Sequence, residues 1–264
     1  MSLRESQLGL FQVSVLKQAK WRELAAATGP TEGLDALDLG SDNGVISWLF
    51  RERGGCWTSA DLTDETVHAI EAMVGERVYR LDGPQLPFAD AAFDRIVVVD
   101  LLEHLVDDRQ LLREIGRCLR PGGRAVLNVP HRKPRALLPV IRRALGLTDA
   151  WHGHQHAGYT REDIARLLPP ELRLIETHTY SRFFSHLLDT ALNWAFLRKA
   201  RGRAMSTAKG MVVTGSTLGE GDARTLGRVY PLMRAFVSLD RAVAWTEGYA
   251  LLARVEKSPV LIRS

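Results

Sequence analysis

Residues 35–130 alternate between short apolar stretches and amphipathic stretches, and this alternation limits the folds open to the chain. The apolar stretches predict strands at residues 36–39, 56–60, 78–81, 95–100 and 125–129. The amphipathic stretches predict helices at residues 45–53, 65–74 and 108–119. Strands that alternate with helices form a parallel sheet with crossover helices. We therefore expect an α/β fold with a doubly wound sheet.

The regions before residue 35 and after residue 130 show a less regular alternation. Residues 5–27 have apolar side chains near a 3.6-residue period, which predicts a helix that ends at Gly29. After residue 130 we expect a short helix at 135–145, a capped helix start at Thr160, and strands at 172–179 and 249–255. The segment between these two strands, about 181–245, is mostly helical by pattern. The sheet should therefore have seven strands, with a helical insertion before the last.

Glycines and acids follow the first three predicted strands, where each strand ends. The turn LDLGSDNG, at residues 37–44, leads from the first strand into a helix. Glycine accepts positive φ and lets a ligand approach the backbone, and ligands of open α/β sheets bind beyond the carboxyl ends of the strands. Asp61 ends the second strand, where an acid can accept the ribose hydroxyls of a nucleotide, and Asp82 ends the third. The sequence therefore predicts a nucleotide-type ligand at this edge.

Taken in order, these segments resemble the class I S-adenosylmethionine-dependent methyltransferases, in particular the small-molecule group. The matching text is LDLGSDNG, ADLTDE, LDGPQLPFADAAFD, RIVVVDLLEHL and LRPGGRAVLNVPH. The resemblance implies a Rossmann-like sheet whose last strand runs antiparallel between its neighbours. It also implies S-adenosylmethionine as cofactor, with S-adenosylhomocysteine as product. We expect one domain, with a cofactor-binding half at 1–130 and an acceptor side at 131–264 that includes the helical cap.

The resemblance also implies which residues contact the cofactor: Asp38, Gly40, Ser41, Asp42 and Gly44; Asp61 and Leu62; Asp82 and Gly83; and Asp100. Asp38 would orient the glycine loop, Asp61 would hold the ribose, and Asp82 would meet the adenine amino group. The family usually has glycine where this chain has Asp42. Aspartate is among the residues that adopt the left-handed region, so the turn can still form.

His131 and His104 are the candidate general bases. A base is needed only for an acceptor that is protonated at neutral pH, because the sulfonium carbon is already electrophilic. His104 lies in DLLEHL, which resembles the metal-ligand stretch of small-RNA 2′-O-methyltransferases and a similar stretch in ubiquinone-pathway enzymes. One alternative is therefore a metal-assisted O-methyltransferase of RNA or quinone type that uses Asp100, Glu103 and His104. Since the same text occurs in methyltransferases without metal, we expect no metal site.

The acceptor side is expected to contact an anion. Residues 1–130 carry 14 basic and 20 acidic side chains, whereas residues 131–264 carry 21 basic and 11 acidic ones. The segment HAGYTRED, at residues 156–163, resembles one that borders the acceptor pocket in similar enzymes. Together with the histidine cluster WHGHQH before it, this segment directs attention to His154, His156 and Tyr159. Arg132 belongs to a basic cluster nearby. These features predict a small-molecule or lipid-linked, anionic acceptor. No aromatic residues interleave with the basic cluster, which argues against nucleic acid.

The segment 181–203 combines a wide apolar face with arginines and a lysine at its end. Such a helix can lie on an anionic membrane, cover the site or contact a second copy in a homodimer. Two cysteines without metal-site spacing and no apolar run of about 18 residues favour a cytoplasmic protein. The non-enzymatic alternative is a catalytically silent protein that binds the cofactor, because Asp42 replaces glycine.

Overall fold

The computed structural model describes residues 2–133, 136–147, 153–199 and 220–259. The strands are β1 Asp35–Leu39, β2 Cys56–Asp61, β3 Val78–Arg80, β4 Phe93–Val99, β5 Leu119–Pro130, β6 Leu172–Tyr180 and β7 Ala250–Lys257. The described helices are α1 Leu3–Gln12, α2 Val15–Thr28, α3 Val45–Arg51, α4 Asp64–Val74, α5 Asp108–Cys118, α6 Leu137–Ala144, α7 Arg161–Leu167, α8 Phe183–Lys199 and α9 Glu220–Ser238. Two 3₁₀ helices span Leu102–His104 and Leu239–Val243.

All seven strands form one sheet in the order β3-β2-β1-β4-β5-β7-β6. Strands β1 to β5 pair in parallel, and β7 is antiparallel to both β5 and β6. This order confirms the expected doubly wound fold with its antiparallel last strand. Because β5 and β6 both oppose β7, strands β1 to β6 all end at one edge, where β7 begins. We call this the carboxyl edge.

The central strands are buried on both faces of the sheet. Ile96, Val97 and Val98 of β4 are fully buried, as their β-branched run predicts. Leu111 and Ile115 of α5 belong to the apolar cluster on one face. The other face holds a second cluster, in which the rings of Phe50 and Trp57 stack with centroids 4.3 Å apart. The two clusters hold the strand ends in a fixed arrangement.

Two predicted boundaries are wrong. The helix expected at 5–27 is two helices, because the Ser14 side chain accepts a hydrogen bond from the Lys17 amide and caps α2. Strand β5 begins at Leu119, earlier than expected, and residues 120–123 loop out between its first two pairings with β4. The Pro-Gly-Gly turn thus lies inside the strand pairing rather than before it.

The helices of the insertion pack against each other, and α8 also contacts α6 while α9 contacts α2. Asp240 accepts hydrogen bonds from the amides of Arg182 (2.9 Å) and Phe184 (2.8 Å), so it anchors the start of α8. The rings of Phe184 and Phe236 meet edge to face at 5.4 Å. Residue 135, the first of the helix predicted at 135–145, and residues 200–219 of the insertion lie outside the described residues. Among the described helices, none has the length and apolar character needed to cross a membrane.

Candidate active site

Asp38 ties the glycine loop to the elements around it. Its carboxylate is fully buried at β1 and accepts hydrogen bonds from the hydroxyls of Ser41, Ser47 and Ser59, each at 2.6 Å. These three serines belong to the loop, α3 and β2 respectively. A buried carboxylate is stable only with such partners. Asp38 therefore fixes the loop relative to the sheet, as the resemblance implies.

The loop turns sharply at residues with positive φ. The amide of Gly40 donates to Ala60 O at 3.0 Å, which holds the loop against β2. Gly44 has φ of 76° and starts α3, and a Cβ there would lie 2.8 Å from the Ile70 Cα atom. Asp42 has φ of 50°. Aspartate thus takes the left-handed conformation that the family usually assigns to glycine.

Asp61 places a buried carboxylate directly beside this loop. Its Oδ2 accepts the Asp42 amide at 3.1 Å, and its Oδ1 accepts the Leu62 amide at 2.7 Å. Leu62 is half-buried and packs against the core. A carboxylate oxygen has more than one lone pair, so each oxygen can also accept from a ligand hydroxyl. The arrangement suits a ribose bound at the end of β2.

The end of β3 offers a polar group and open space. Asp82 is exposed, and Gly83 has φ of 84° with no atom within 4 Å of a Cβ built there. Leu86 is buried nearby, and the half-buried ring of Phe88 meets Tyr79 at 5.3 Å. A flat aromatic base could therefore approach the backbone at Gly83 with apolar side chains close by.

Gln7 provides a direct test of whether the site fits the cofactor. Its side chain is 1% exposed, and its Oε1 accepts from Asn43 Nδ2 of the glycine loop at 3.1 Å. Its Nε2 has no hydrogen-bond partner among the described residues. A buried amide donor without a partner is costly, and a carboxylate on a ligand would satisfy it. The methionine part of S-adenosylmethionine carries such a carboxylate, so the residues present fit the cofactor.

A polar network joins four elements at the carboxyl edge. Asp100, with φ of 44°, follows β4 and forms an ion pair with Lys20 of α2. Its Oδ1 accepts from Asn128 Nδ2 at 2.6 Å, and Asn128 Oδ1 accepts from the Tyr180 hydroxyl at 2.6 Å. Burial alone would lower the pKa of Lys20, but Asp100 and Tyr180 outweigh it and raise that pKa. Lys20 is therefore a permanent cation here.

Lys17 lies one turn earlier on α2. Burial lowers its pKa, and the nearby charge of Asp42 opposes that shift. Sequence reasoning missed both lysines, as well as Gln7, Asn128 and Tyr180. Lys17 and Lys20 share a helix face because they are three residues apart. The sequence around the two lysines, however, does not indicate that this helix face contacts the ends of strands that are distant in the sequence.

Two of the predicted residues, His131 and Arg132, follow β5 directly, and each is held by a more distant segment. His131 Nδ1 lies 2.9 Å from Gly248 O, a carbonyl that accepts only if Nδ1 carries the proton. This leaves the lone pair on Nε2. Arg132 forms an ion pair with Asp163, with Nη2 2.6 Å from Oδ2. Their roles toward an acceptor stay predictions.

Two other predicted residues pack inward. Tyr159 is 3% exposed and donates its hydroxyl to Asp108 Oδ2 at 3.1 Å. His156 Nε2 lies 3.0 Å from Leu105 O. Both contacts hold this segment against the loop before α5 and the start of that helix. They favour a structural role, and an acceptor contact by either side chain stays a prediction.

Glu103, His104 and His154 converge beside the first 3₁₀ helix. One ligand atom of each lies within 4.8 Å of the others, and Glu103 is buried. His104 Nδ1 lies 3.1 Å from Gly153 O, which orients the ring. Asp100 is not in this group, because its carboxylate faces Lys20 and Asn128. The structure thus brings together two of the three metal ligands considered from sequence, Glu103 and His104, and the third member of the group is His154 instead of Asp100.

An open depression of about 690 Å³ lies elsewhere, between α2, the turn at 29–32 and the end of α3. These residues precede β1 and β2, so the depression lies at the opposite edge of the sheet. It contains none of the candidate site residues.

Comparisons with known proteins identify the kind of domain. Residues 37–127 match the family model described as a methyltransferase domain. A methyltransferase of Mycobacterium sp. (strain KMS) is 37% identical over 105 residues, which cover 39% of this chain and 42% of that protein. The ubiquinone biosynthesis O-methyltransferase of Leptothrix cholodnii is 26% identical over 206 residues, covering 73% of this chain and 76% of that protein.

A solved structure extends the likeness in fold. The N-methyltransferase NodS of Bradyrhizobium japonicum, in complex with S-adenosyl-L-homocysteine, superposes with a TM-score of 0.54 at 15% identity, covering 94% of this chain and 90% of that one. The chain spans less than half the length of the Mycobacterium relative. The matched region 37–127 nonetheless contains the glycine loop, Asp61, Asp82 and Asp100. Residues 37–127 therefore match a methyltransferase domain, and the sheet order together with this likeness gives the chain the fold of the class I S-adenosylmethionine-dependent methyltransferases.

Proposed function

We propose that the protein transfers a methyl group from S-adenosylmethionine to a small-molecule or lipid-linked, anionic acceptor. The observation that carries the proposal is the fully buried carboxylate of Asp61, held against the glycine loop by the amide of Asp42. Apolar packing alone does not require an acid there, and each carboxylate oxygen has a further lone pair that can accept from a ribose hydroxyl. The unsatisfied amide of Gln7 supports the same ligand.

When bound, the cofactor supplies an electrophilic methyl carbon on a sulfonium. The chain's part is then to hold the donor and align the acceptor, and alignment alone accounts for several orders of magnitude in rate. Asp61 and Gln7 hold the donor, while Asp100 fixes the end of β4. For an acceptor with a protonated hydroxyl, His131 is the proposed general base, because Gly248 O leaves its Nε2 lone pair available.

Several cations support an anionic acceptor. Lys17 and Lys20 of α2 reach the carboxyl edge beside Asp42 and Asp100. Lys133 follows β5 at the same edge and donates its ammonium to Glu247 O at 2.6 Å. Each is a point charge that can attract a carboxylate, phosphate or phenolate. The acidic half of the chain, in contrast, supplies the carboxylates of the donor site.

Calorimetric titration with S-adenosylmethionine and S-adenosylhomocysteine tests the donor site. We expect both to bind the wild-type protein and Asp61→Ala to weaken both by about 10–100-fold, the range for losing hydrogen bonds to a charged group. Asp61→Asn, which keeps the size of the side chain, serves as a second variant if alanine impairs folding. Asp64→Ala is the matched control, since Asp64 is exposed and lies three residues further on.

Wild-type protein that binds neither compound would refute the proposal, as would Asp61 variants that bind normally. Binding without methyl transfer to any fraction of a metabolite extract, assayed with a labelled methyl group, would instead support the catalytically silent alternative. Labelled product that binds to an anion exchanger would support the acceptor class.

A second candidate function is metal-assisted O-methylation, and the convergence of Glu103, His104 and His154 favours it. A carboxylate and two imidazoles form a common ligand set for zinc and similar divalent ions. Such an ion could polarise an acceptor hydroxyl and lower its pKa. The partial match to the Leptothrix ubiquinone enzyme is consistent with an acceptor that has hydroxyls.

Removal of metal separates the two candidates. If methyl transfer falls at least tenfold after chelation and returns with zinc or magnesium, the second candidate is supported. His154→Ala should then abolish the return, whereas His68→Ala on the exposed face of α4 should not. Activity that is unchanged by chelation leaves the first candidate, in which alignment and a base are sufficient.

A further inference from the structure

The second half of the insertion exposes large apolar side chains that the donor site does not use. Leu232 of α9 is 72% exposed, Leu239 of the second 3₁₀ helix is 45% exposed, and Trp245 is 85% exposed. Leu232 and Leu239 are seven residues apart on continuous helix, so they lie on one face. We call these three residues the apolar surface.

The opposite face of α9 is packed, so the orientation of the apolar surface is fixed. Met233 is buried, Phe236 meets Phe184, and the Tyr230 hydroxyl donates to Gln18 Oε1 of α2 at 2.9 Å. The chain just after Trp245 is also held, because Arg182 Nε donates to Thr246 O at 2.9 Å. The indole is therefore presented to solvent by rigid neighbours.

Exposed arginines lie on the same segment of the chain as the apolar surface. Arg228, Arg234 and Arg241 are all exposed. Between residues 224 and 246 the sequence has one acid, Asp240, and its carboxylate accepts amide hydrogen bonds at the start of α8. This segment thus combines exposed apolar side chains with an excess of positive charge, although the exposed Glu247 follows it directly. A tryptophan and leucines with interspersed arginines suit the interface of an anionic bilayer.

The apolar surface lies at the same edge as the candidate active site. Ala250, the first residue of β7, pairs with Pro130 and Tyr180, the last residues of β5 and β6. Trp245 precedes it by five residues, and Gly248 O contacts His131 Nδ1 in between. A bilayer bound at Trp245 would therefore lie close to His131, the proposed general base.

We propose that the apolar surface and its three arginines dock the protein on an anionic phospholipid membrane. This differs from the membrane contact expected at 181–203, because α8 is largely half-buried and packs against α6, α9 and the second 3₁₀ helix. The inference goes beyond methyl transfer and does not depend on it, since membrane binding is measured without cofactor or acceptor.

Sedimentation with vesicles tests the proposal. The wild-type protein should pellet with vesicles of phosphatidylglycerol and phosphatidylcholine at low salt, and much less at high salt or with phosphatidylcholine alone. Arg228→Gln, Arg234→Gln and Arg241→Gln combined should weaken binding about 100-fold. Leu232→Ser, Leu239→Ser and Trp245→Ser combined should abolish pelleting. The emission of wild-type protein should shift to the blue with vesicles, and Trp245→Phe should lose this shift.

Matched variants on other surfaces control for general effects. Val106→Ser removes an apolar side chain that is 82% exposed and lies before α5. Arg80→Gln, Arg113→Gln and Arg166→Gln combined remove three cations that are 55%, 51% and 72% exposed. Both controls should pellet like the wild type, and circular dichroism should show that all variants are folded.

Three results would overturn the proposal. One is a wild-type protein that stays in the supernatant with anionic vesicles at low salt. Another is a folded variant of the apolar surface that pellets normally. The third is a dimer in light scattering that becomes monomeric in that variant, which would assign the surface to a second copy of the chain.

Discussion

Lys20 of α2 forms an ion pair with Asp100, the residue that follows β4 at the carboxyl edge. The contact joins two residues that are 80 positions apart, and it places an N-terminal helix over the strand ends. Asn128 completes the setting of the Asp100 carboxylate from β5. The N-terminal helix is therefore part of the candidate site and not only a cover for the sheet.

Lys20→Met should lower the free energy of unfolding by about 1–3 kcal/mol, because it leaves a partly buried carboxylate with one fewer partner. The side chains of Lys20 and Asp100 are about one third exposed, which favours the lower end of this range. Urea denaturation measures the change. Lys20→Arg keeps the charge and should recover part of the loss. Equal stability of the methionine variant and the wild type would contradict this account of the pair.

Asp38→Ala should lower the free energy of unfolding by about 3–5 kcal/mol, which is more than Lys20→Met. The reason is that it removes a fully buried carboxylate to which three serine hydroxyls donate. The loop would lose its anchor as well, so binding of S-adenosylhomocysteine should weaken together with stability. Asp35→Ala is the control, because its ion pair with Arg120 is half exposed and should contribute at most about 1 kcal/mol. Similar losses of stability in both variants would show that Asp38 contributes no more than an exposed ion pair.

Gly44→Ala should destabilise the protein by about 2–4 kcal/mol. Part of this is the cost of positive φ for alanine, and part is the displacement of the Ile70 backbone from a Cβ that would lie 2.8 Å away. Gly33→Ala separates the two effects, because Gly33 has φ of 71° but no atom within 4 Å of its built Cβ. If both variants lose the same stability in thermal denaturation, the contact with α4 contributes nothing.

The sheet and the donor loop could be predicted from sequence because their signals are local. The β-branched run at 96–99 indicates a buried strand, and the acids at 61 and 82 follow strands directly. The left-handed conformation of Asp42 is compatible with the sequence, because aspartate is among the residues that adopt positive φ.

The rest of the site depends on contacts between distant segments. Gln7, Lys20 and Tyr180 meet the strand ends through helix packing and strand order, which no short motif encodes. Tyr159 is another example, because its sequence segment resembles one that borders an acceptor pocket. In the structure, however, its hydroxyl donates to Asp108. A motif identifies a segment, and packing then decides which way its side chains face.

His186 of α8 should make stability depend on pH. Its ring stacks on Tyr249 with centroids 4.0 Å apart, and burial, together with the charge of Arg142, lowers the pKa of His186 to about 4. The unfolded chain, with an ordinary histidine pKa of about 6.5, binds the proton first as pH falls. Stability is therefore fully present above about pH 6.5 and is lost down to about pH 4, by at most about 3 kcal/mol.

Urea denaturation across this pH range, compared between the wild type and His186→Phe, isolates the effect. Phenylalanine keeps a ring against Tyr249 but cannot take up a proton, so the variant should lose less stability between pH 6.5 and pH 4 than the wild type. His68→Phe, which replaces an exposed histidine of α4, is the matched control and should leave the wild-type dependence intact. A His186→Phe protein with the same pH dependence as the wild type would show that this buried imidazole does not resist protonation.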